Sequence, residues 1–326
     1  MQKGRKIVYV LGAGASRALE VVTNYKKSKR IPIPIQGDFW DTYLKFVPPA
    51  TRANVESFLF RYFLGYQRVP GNMTHATKRG LLAEVEVEEV FTFLSERSRA
   101  PSSSAQLKSE CVKIWGELVE GIGIVFKRFT PNAKAQKLVA DFKRVHLRRN
   151  DAIVSFNYDV VFETALSKWG FAYSGLEDTK NKTEVIKPHG SVNWREEGGT
   201  IVVDLNSPSP VVVAPTHLKF VETNDQNDVQ SGYLTQSTTM RKVWSNLERE
   251  MKSARVLVFV GYSFPPADLY FSSVLRSVLA VRARKPKVVI VNPDAVAIAD
   301  RLEKRFSLEE VVKYFDFQHF LRASRQ

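Results

Sequence analysis

The sequence predicts an α/β fold: a doubly wound, mostly parallel Rossmann-like sheet with an inserted helical module. Three observations carry this. Short β-branched runs bounded by glycine or polar residues recur along the chain, among them KIVYVLG (6–12), DAIVSFN (151–157), RVLVFVG (255–261) and KVVIVN (287–292). Runs that are apolar throughout suit strands buried on both faces, as the strands of a parallel sheet are. Helical periodicity follows several of them, over 15–24, 159–169, 267–283 and 295–307, and strand-then-helix alternation builds such a sheet. Residues 40–149 instead repeat apolar side chains at spacings of three and four.

Taken in order, the first run ends in Gly12 and Gly14 and passes into a helix. IPIPIQGDFW (31–40) is proline-rich and extended, a linker or a lid over a ligand. The helical stretch then shows Leu81, Val85, Phe91 and Leu94 on one face, and Val112, Trp115, Leu118 and Val119 on another. APSSSA (100–105) reads as a break between helices. Sheet building resumes near Asp151, and TIVVDL (200–205) and PVVVAP (210–215) read as further strands. The expected division is a Rossmann-like unit of residues 1–39 and 150–326 around a helical insertion of 40–149.

Composition narrows the function classes. With 44% hydrophobic and 11% aromatic residues among 326, the chain can build a proper core. The single cysteine, Cys111, excludes an intramolecular disulfide and a cysteine-rich zinc site, and fits a reducing cytoplasm. No apolar run approaches the ~20 residues that span a bilayer, so no membrane association and a cytoplasmic location are expected. The net charge is +14, with clusters at 26–30, 143–150 and 282–287. Such a surface attracts nucleic acid, an acidic partner or an anionic small molecule, or is simply solvated. No zinc-finger spacing or RNA-binding aromatic signature accompanies it.

Four strand ends carry candidate chemistry. Gly12, Ala13, Gly14 and Ser16 form a turn where the backbone can approach a pyrophosphate, or merely a tight strand–helix junction. A dinucleotide dehydrogenase would have a third glycine where this chain has Arg17, so hydride transfer is disfavoured. Asn157 and Asp159 follow the second run; they could line a ligand crevice, or satisfy a turn and cap a helix. GYSFPPAD (261–268) and IVNPDA (290–295) repeat the pattern, with Gly261, Ser263 and Asn292 at the tips. VIKPHGSVNW (185–194) holds the most exposed-looking of five histidines, His189, braced between Pro188 and Gly190. An imidazole there could accept a proton near neutral pH, or be a hydrogen-bonded turn residue. His75, His146, His217 and His319 have no comparable setting, and no spacing suggests a metal site.

In this order, GAG-x-S, F-N-Y-D, K-P-H-G-S and G-Y-S-F-P-x-x-D resemble the sirtuin superfamily over residues 6–39 and 151–293. The likeness is greater to bacterial sirtuin-like NAD hydrolases of antiphage defence than to the protein deacetylases. The resemblance implies a sirtuin-like sheet with NAD as substrate. Gly12, Ala13, Gly14 and Ser16 would hold its phosphates, and Asp38 and Phe39 would close over nicotinamide. Asn157 would orient the ribose and a water, Asp159 would sit near the carboxamide, and His189 would be the catalytic base. Gly261 and Ser263 would form the second phosphate- and ribose-side turn, with Asn292 at the adenosine ribose. Deacetylases carry a four-cysteine zinc module that one cysteine cannot make, so no zinc is expected. The implied function is NAD cleavage to nicotinamide and ADP-ribose, with an NAD-dependent deacylase or a non-catalytic nucleotide- or nucleic-acid-binding subunit as alternatives. A homo-oligomer gated by a partner is implied, either a HerA-type DNA translocase or an Argonaute-like protein, and direct nucleic-acid contact stays open.

Overall fold

A computed structural model describes residues 6–25, 29–207, 210–213, 238–266, 268–280, 282, 284–308 and 310–323. Strand β1 (Ile7–Leu11) is buried along its whole length and ends at Gly12, where α1 (Ala13–Ala18) starts. The helix expected over 15–24 stops early. Glu20 adopts a left-handed φ of 54°, and the β-branched Val21-Val22-Thr23 that follows suits an extended chain. There β2 (Val22–Tyr25) pairs antiparallel with β3 (Lys29–Pro32). Only the first two residues of the proline-rich segment belong to the return strand of this ribbon; the chain then runs to a 3₁₀ turn at Gln36–Asp38.

Helices α2 (Phe39–Phe46), α3 (Pro49–Tyr62), α4 (His75–Ala83), α5 (Val87–Arg99), α6 (Ala105–Phe126) and α7 (Ala133–Val145) follow. The break at 100–105 falls between α5 and α6, where the Ser104 hydroxyl caps the new helix by accepting from Leu107 N. Phe142 of α7 meets Tyr9 of β1 edge-on, with ring centroids 4.9 Å apart, so the last of these helices lies against the sheet.

Then come β4 (Ala152–Ser155), α8 (Val161–Leu166), β5 (Phe171–Tyr173), β6 (Thr183–Ile186), β7 (Gly190–Ser191), β8 (Trp194–Glu197), β9 (Thr200–Val203) and β10 (Val211–Val212). The chain continues through α9 (Thr238–Ser253), β11 (Val256–Val260), α10 (Leu269–Ala280), β12 (Lys287–Val291), α11 (Ala295–Phe306), β13 (Val311–Tyr314) and α12 (Phe317–Arg322). Seven strands form one sheet in the order β13-β12-β11-β1-β4-β6-β5, and every neighbouring pair is parallel. The architecture is Rossmann-like, with helices flanking the sheet.

Two expected strands lie elsewhere. The 200–205 run supplies β9, which pairs antiparallel with β8, and the 210–215 run supplies β10, paired antiparallel with β7; residues 214 and 215 lie outside the described set. The reason shows in burial. Strand β9 buries only Ile201 deeply, whereas β1, β4 and β11 are buried at every position. Conversely, β5, β6 and β13 belong to the sheet although FAY is only three residues long and polar residues interrupt TEVI and VVKY; β5 and β13 are its edges.

From β1 the chain moves to β4, β6 and β5 on one side, then returns to β11 on the other and on to β12 and β13. The switch in direction lies between β1 and β11. Ligands of open α/β sheets bind outside the carboxyl ends of strands at such a point.

Candidate active site

A cleft of about 630 Å³ opens there, within the usual size of small-ligand sites. It is lined from the carboxyl ends of β1, β4, β6, β11, β12 and β13, and from the start of α5. Of the residues singled out by sequence, Gly12, Ala13, Gly14, Phe39, Asn157, Asp159, His189, Gly261, Ser263 and Asn292 line it. Ser16 and Asp38 do not.

The glycine turn is built by packing of main chain on main chain. Gly12 N donates to Val260 O and Gly14 N to Gly261 O, both at 3.0 Å. A Cβ on Gly12 would lie 2.6 Å from Gly261 O, and one on Gly14 would lie 2.7 Å from Gly261 Cα. Gly261 itself has φ +59°, and its Cβ would sit 2.2 Å from Ala15 N. The glycines are therefore required by the meeting of two turns at the switch point, as well as bordering the cleft.

Beneath this turn lies a chain of buried polar groups. Asn157 Nδ2 donates to Gly12 O at 2.9 Å and to Ser16 Oγ at 3.0 Å, so both its donors are engaged and its carbonyl oxygen is the atom that can meet a ligand. The Ser16 hydroxyl donates to Asp159 Oδ1 at 3.1 Å. Ser16 is 1% exposed and braces the cleft wall from behind. Asp159 Oδ1 also accepts from Val161 N, closing the turn that leads into α8. Burial raises the Asp159 carboxyl from 3.8 to about 6; the Lys187 ammonium works against this and Glu163 adds to it.

Lys187 and Glu163 escaped the sequence reading. Lys187 is fully buried; its Nζ donates to Glu163 Oε1 at 2.7 Å and to Asp159 O at 2.6 Å. The signal was a lysine placed directly after the buried pair Val185-Ile186, opposite a glutamate one helical turn beyond Asp159. This pair fixes the start of α8 to the end of β6, and so sets Asp159 relative to His189.

His189 is not the exposed corner the sequence suggested; it is 5% exposed. Gly190 makes the corner, with φ +76° and no room for a Cβ, which would lie 2.1 Å from Val211 O. Val213 N donates to His189 O, so the segment around β10 closes over the loop. The imidazole stands edge-on to Phe156, centroids 4.8 Å apart, and its Nε2 lies 3.8 Å from Asp268 Oδ2. Among the other histidines, His146 is buried and stacked on Phe320, and His217 lies outside the described residues.

Asp38 holds the loop at the mouth. It pairs with Arg17, which does line the cleft, and accepts from Ile35 N at 2.8 Å. Gln36 and Trp40 both donate to Val85 O, tying this loop to the helical stretch just before Glu86, Val87 and Glu88, which also border the cavity. Among the described residues no cluster of three or more His, Cys, Asp or Glu could hold a metal ion, and no helix is long and apolar enough to cross a membrane.

No curated protein matches the chain. Similar solved structures include a Sir2 homolog–NAD complex, at 15% identity over 98% of this chain and 87% of that one with a TM-score of 0.40. Another is Sir2Tm bound to a propionylated peptide, at 16% identity over 98% and 92% of the chains with a TM-score of 0.38. Likenesses this remote carry no weight for function. A family model described as a SIR2-like domain matches residues 151–311, the stretch that holds Asn157, Asp159, His189 and the tips at Gly261 and Asn292.

Proposed function

We propose that the chain is an NAD glycohydrolase, cleaving the nicotinamide–ribose bond to give nicotinamide and ADP-ribose. One observation carries the reading: the glycine turn, the Asn157 amide and the His189 imidazole border a single cleft at the switch point of the sheet. The bond breaks through an oxocarbenium-like state, and pyridinium nicotinamide leaves without needing a proton. The chain must then hold the ribose, exclude stray water and place one water at the anomeric carbon. The Asn157 oxygen accepts a hydrogen bond from that water or from a ribose hydroxyl. His189 takes the proton that the water releases, and passes it to solvent after ADP-ribose forms. Phe39, Phe126, Phe156 and Tyr158 give the cavity apolar walls for the nicotinamide ring.

The same reading extends to physiology. An enzyme that destroys NAD must be held inactive until needed, so we assign it as the effector of an antiphage system. It would act as a homo-oligomer in the cytoplasm, switched on by a HerA-type translocase or an Argonaute-like protein. Deacylation is the weaker alternative, since one cysteine cannot build the zinc module of the deacetylases. The experiment measures NAD loss and nicotinamide release by the purified chain, alone and with the product of the adjacent gene. Release in either condition supports the proposal. No loss in both, at concentrations where the chain is assembled, rejects it.

A further inference from the structure

We infer that Asp268 is the positioning residue of His189: its carboxylate fixes which imidazole nitrogen carries the hydrogen and offsets the charge that forms when the other nitrogen takes a proton. The inference rests on the reading of His189 as the base.

Asp268 is 1% exposed and stands where the turn after β11 enters α10. Its two oxygens have separate tasks. Oδ1 accepts from Phe271 N at 3.4 Å, a helix cap. Oδ2 accepts from the Tyr262 hydroxyl at 2.8 Å and lies 3.8 Å from His189 Nε2. A cap needs neither the second oxygen nor a charge, and a buried carboxylate without a cation is costly. The opening between Oδ2 and Nε2 is the kind that closes when substrate fills a site. With Nε2–H donating to Asp268, the proton-accepting role in this reading falls to Nδ1. In the hydrolysis step, the water oxygen bonds to the anomeric carbon while the glycosidic electron pair leaves with nicotinamide. The proton released by water passes to Nδ1, giving an imidazolium beside the Asp268 carboxylate.

The surroundings favour this pairing. Phe156, Tyr262 and Phe271 pack on one another around the pair, with centroids 4.6–5.5 Å apart, and an apolar box strengthens a charge pair inside it. The other ionisable groups facing this space are Tyr262, Tyr158 from the end of β4 and Glu88 from α5. Burial pushes both phenols well above their ordinary value, and the carboxylates of Asp268 and Glu88 add to it, so neither phenol carries charge near neutral pH. Asp159 titrates in the same cleft but is tied to Ser16 and the start of α8.

The test is the imidazole titration of His189 by NMR in the full chain, beside NAD turnover. Asn caps helices as well as Asp and keeps an acceptor for Tyr262, so Asp268→Asn removes the charge alone. The His189 midpoint is expected to fall by about one pH unit in Asp268→Asn. It should return in Asp268→Glu, and kcat in the Asn variant should drop about tenfold with KM little changed. An unchanged midpoint overturns the inference, because a merely structural aspartate predicts that result. If Asp268→Asn does not fold, Tyr262→Phe decides: freeing Oδ2 of its competing donor should raise the midpoint, and no change again overturns the pairing. Failure of the function reading looks different. Wild-type chain without hydrolysis but with a shifted midpoint leaves the pairing standing and removes the NAD assignment.

Discussion

The turn at Gly12–Gly14 and the turn at Pro188–Gly190 both end parallel strands at the cleft, yet the first is main chain packed on main chain and the second displays a side chain. At the first, three glycines let the ends of β1 and β11 touch, and from α1 the cavity is lined by Ala13, Gly14, Arg17 and Ala18. At the second, one left-handed glycine and the buried Lys187–Glu163 pair hold His189 in place. The difference teaches where to expect lesions of folding and where to expect lesions of chemistry. Both turns look alike as sequence, being glycines next to a polar residue at the end of an apolar run.

The largest effect should come from the main-chain turn. Gly261→Ala would add a Cβ 2.2 Å from backbone atoms at a position with φ +59°, and should cost about 3 kcal/mol or more. Thermal melts of the variant check this, and a shift of only a degree or two would mean that the two turns are not rigidly joined. Next, Lys187→Met strands Glu163 in the interior and is expected to cost about 3–5 kcal/mol. The double variant Lys187→Met, Glu163→Leu should recover most of it.

A smaller, pH-dependent effect belongs to Asp159. The native carboxyl, at about 6 against 3.8, holds its proton more tightly than the unfolded chain does. The stability this contributes is full below about pH 4 and lost as the pH rises through 6. Asp159→Asn lacks that loss, so wild-type stability relative to the variant should fall by about 2 kcal/mol between pH 4 and pH 7. Denaturation curves at the two pH values measure it. The smallest effect is at the mouth: Asp38→Ala breaks a half-exposed pair with Arg17 and should change stability by less than about 1 kcal/mol.

What could be read from the sequence follows burial. The strands β1, β4, β11 and β12 announce themselves because both faces are covered, which forces continuous apolar runs. Edge strand β5 is only three residues long and β13 is broken by Lys313, so neither stands out as a continuous apolar run. The cleft residues at strand tips were legible because turns there need glycine, asparagine or aspartate. Lys187, Glu163 and the contact of Asp268 with His189 were not, since each is a pairing between segments far apart in the chain. The exposure of His189 was misjudged for the same reason: residues 211–213 cover it from about twenty positions away.

The central claim is that one dinucleotide occupies this cleft with its glycosidic carbon beside His189 and Asn157. The most direct measurement is a crystal structure of the Asn157→Ala variant with intact NAD. The phosphates are expected against residues 12–14 and 261–263, with the nicotinamide-side ribose within hydrogen-bond reach of the His189 imidazole. NAD bound elsewhere, or held with its nicotinamide end toward Asn292, would contradict the claim.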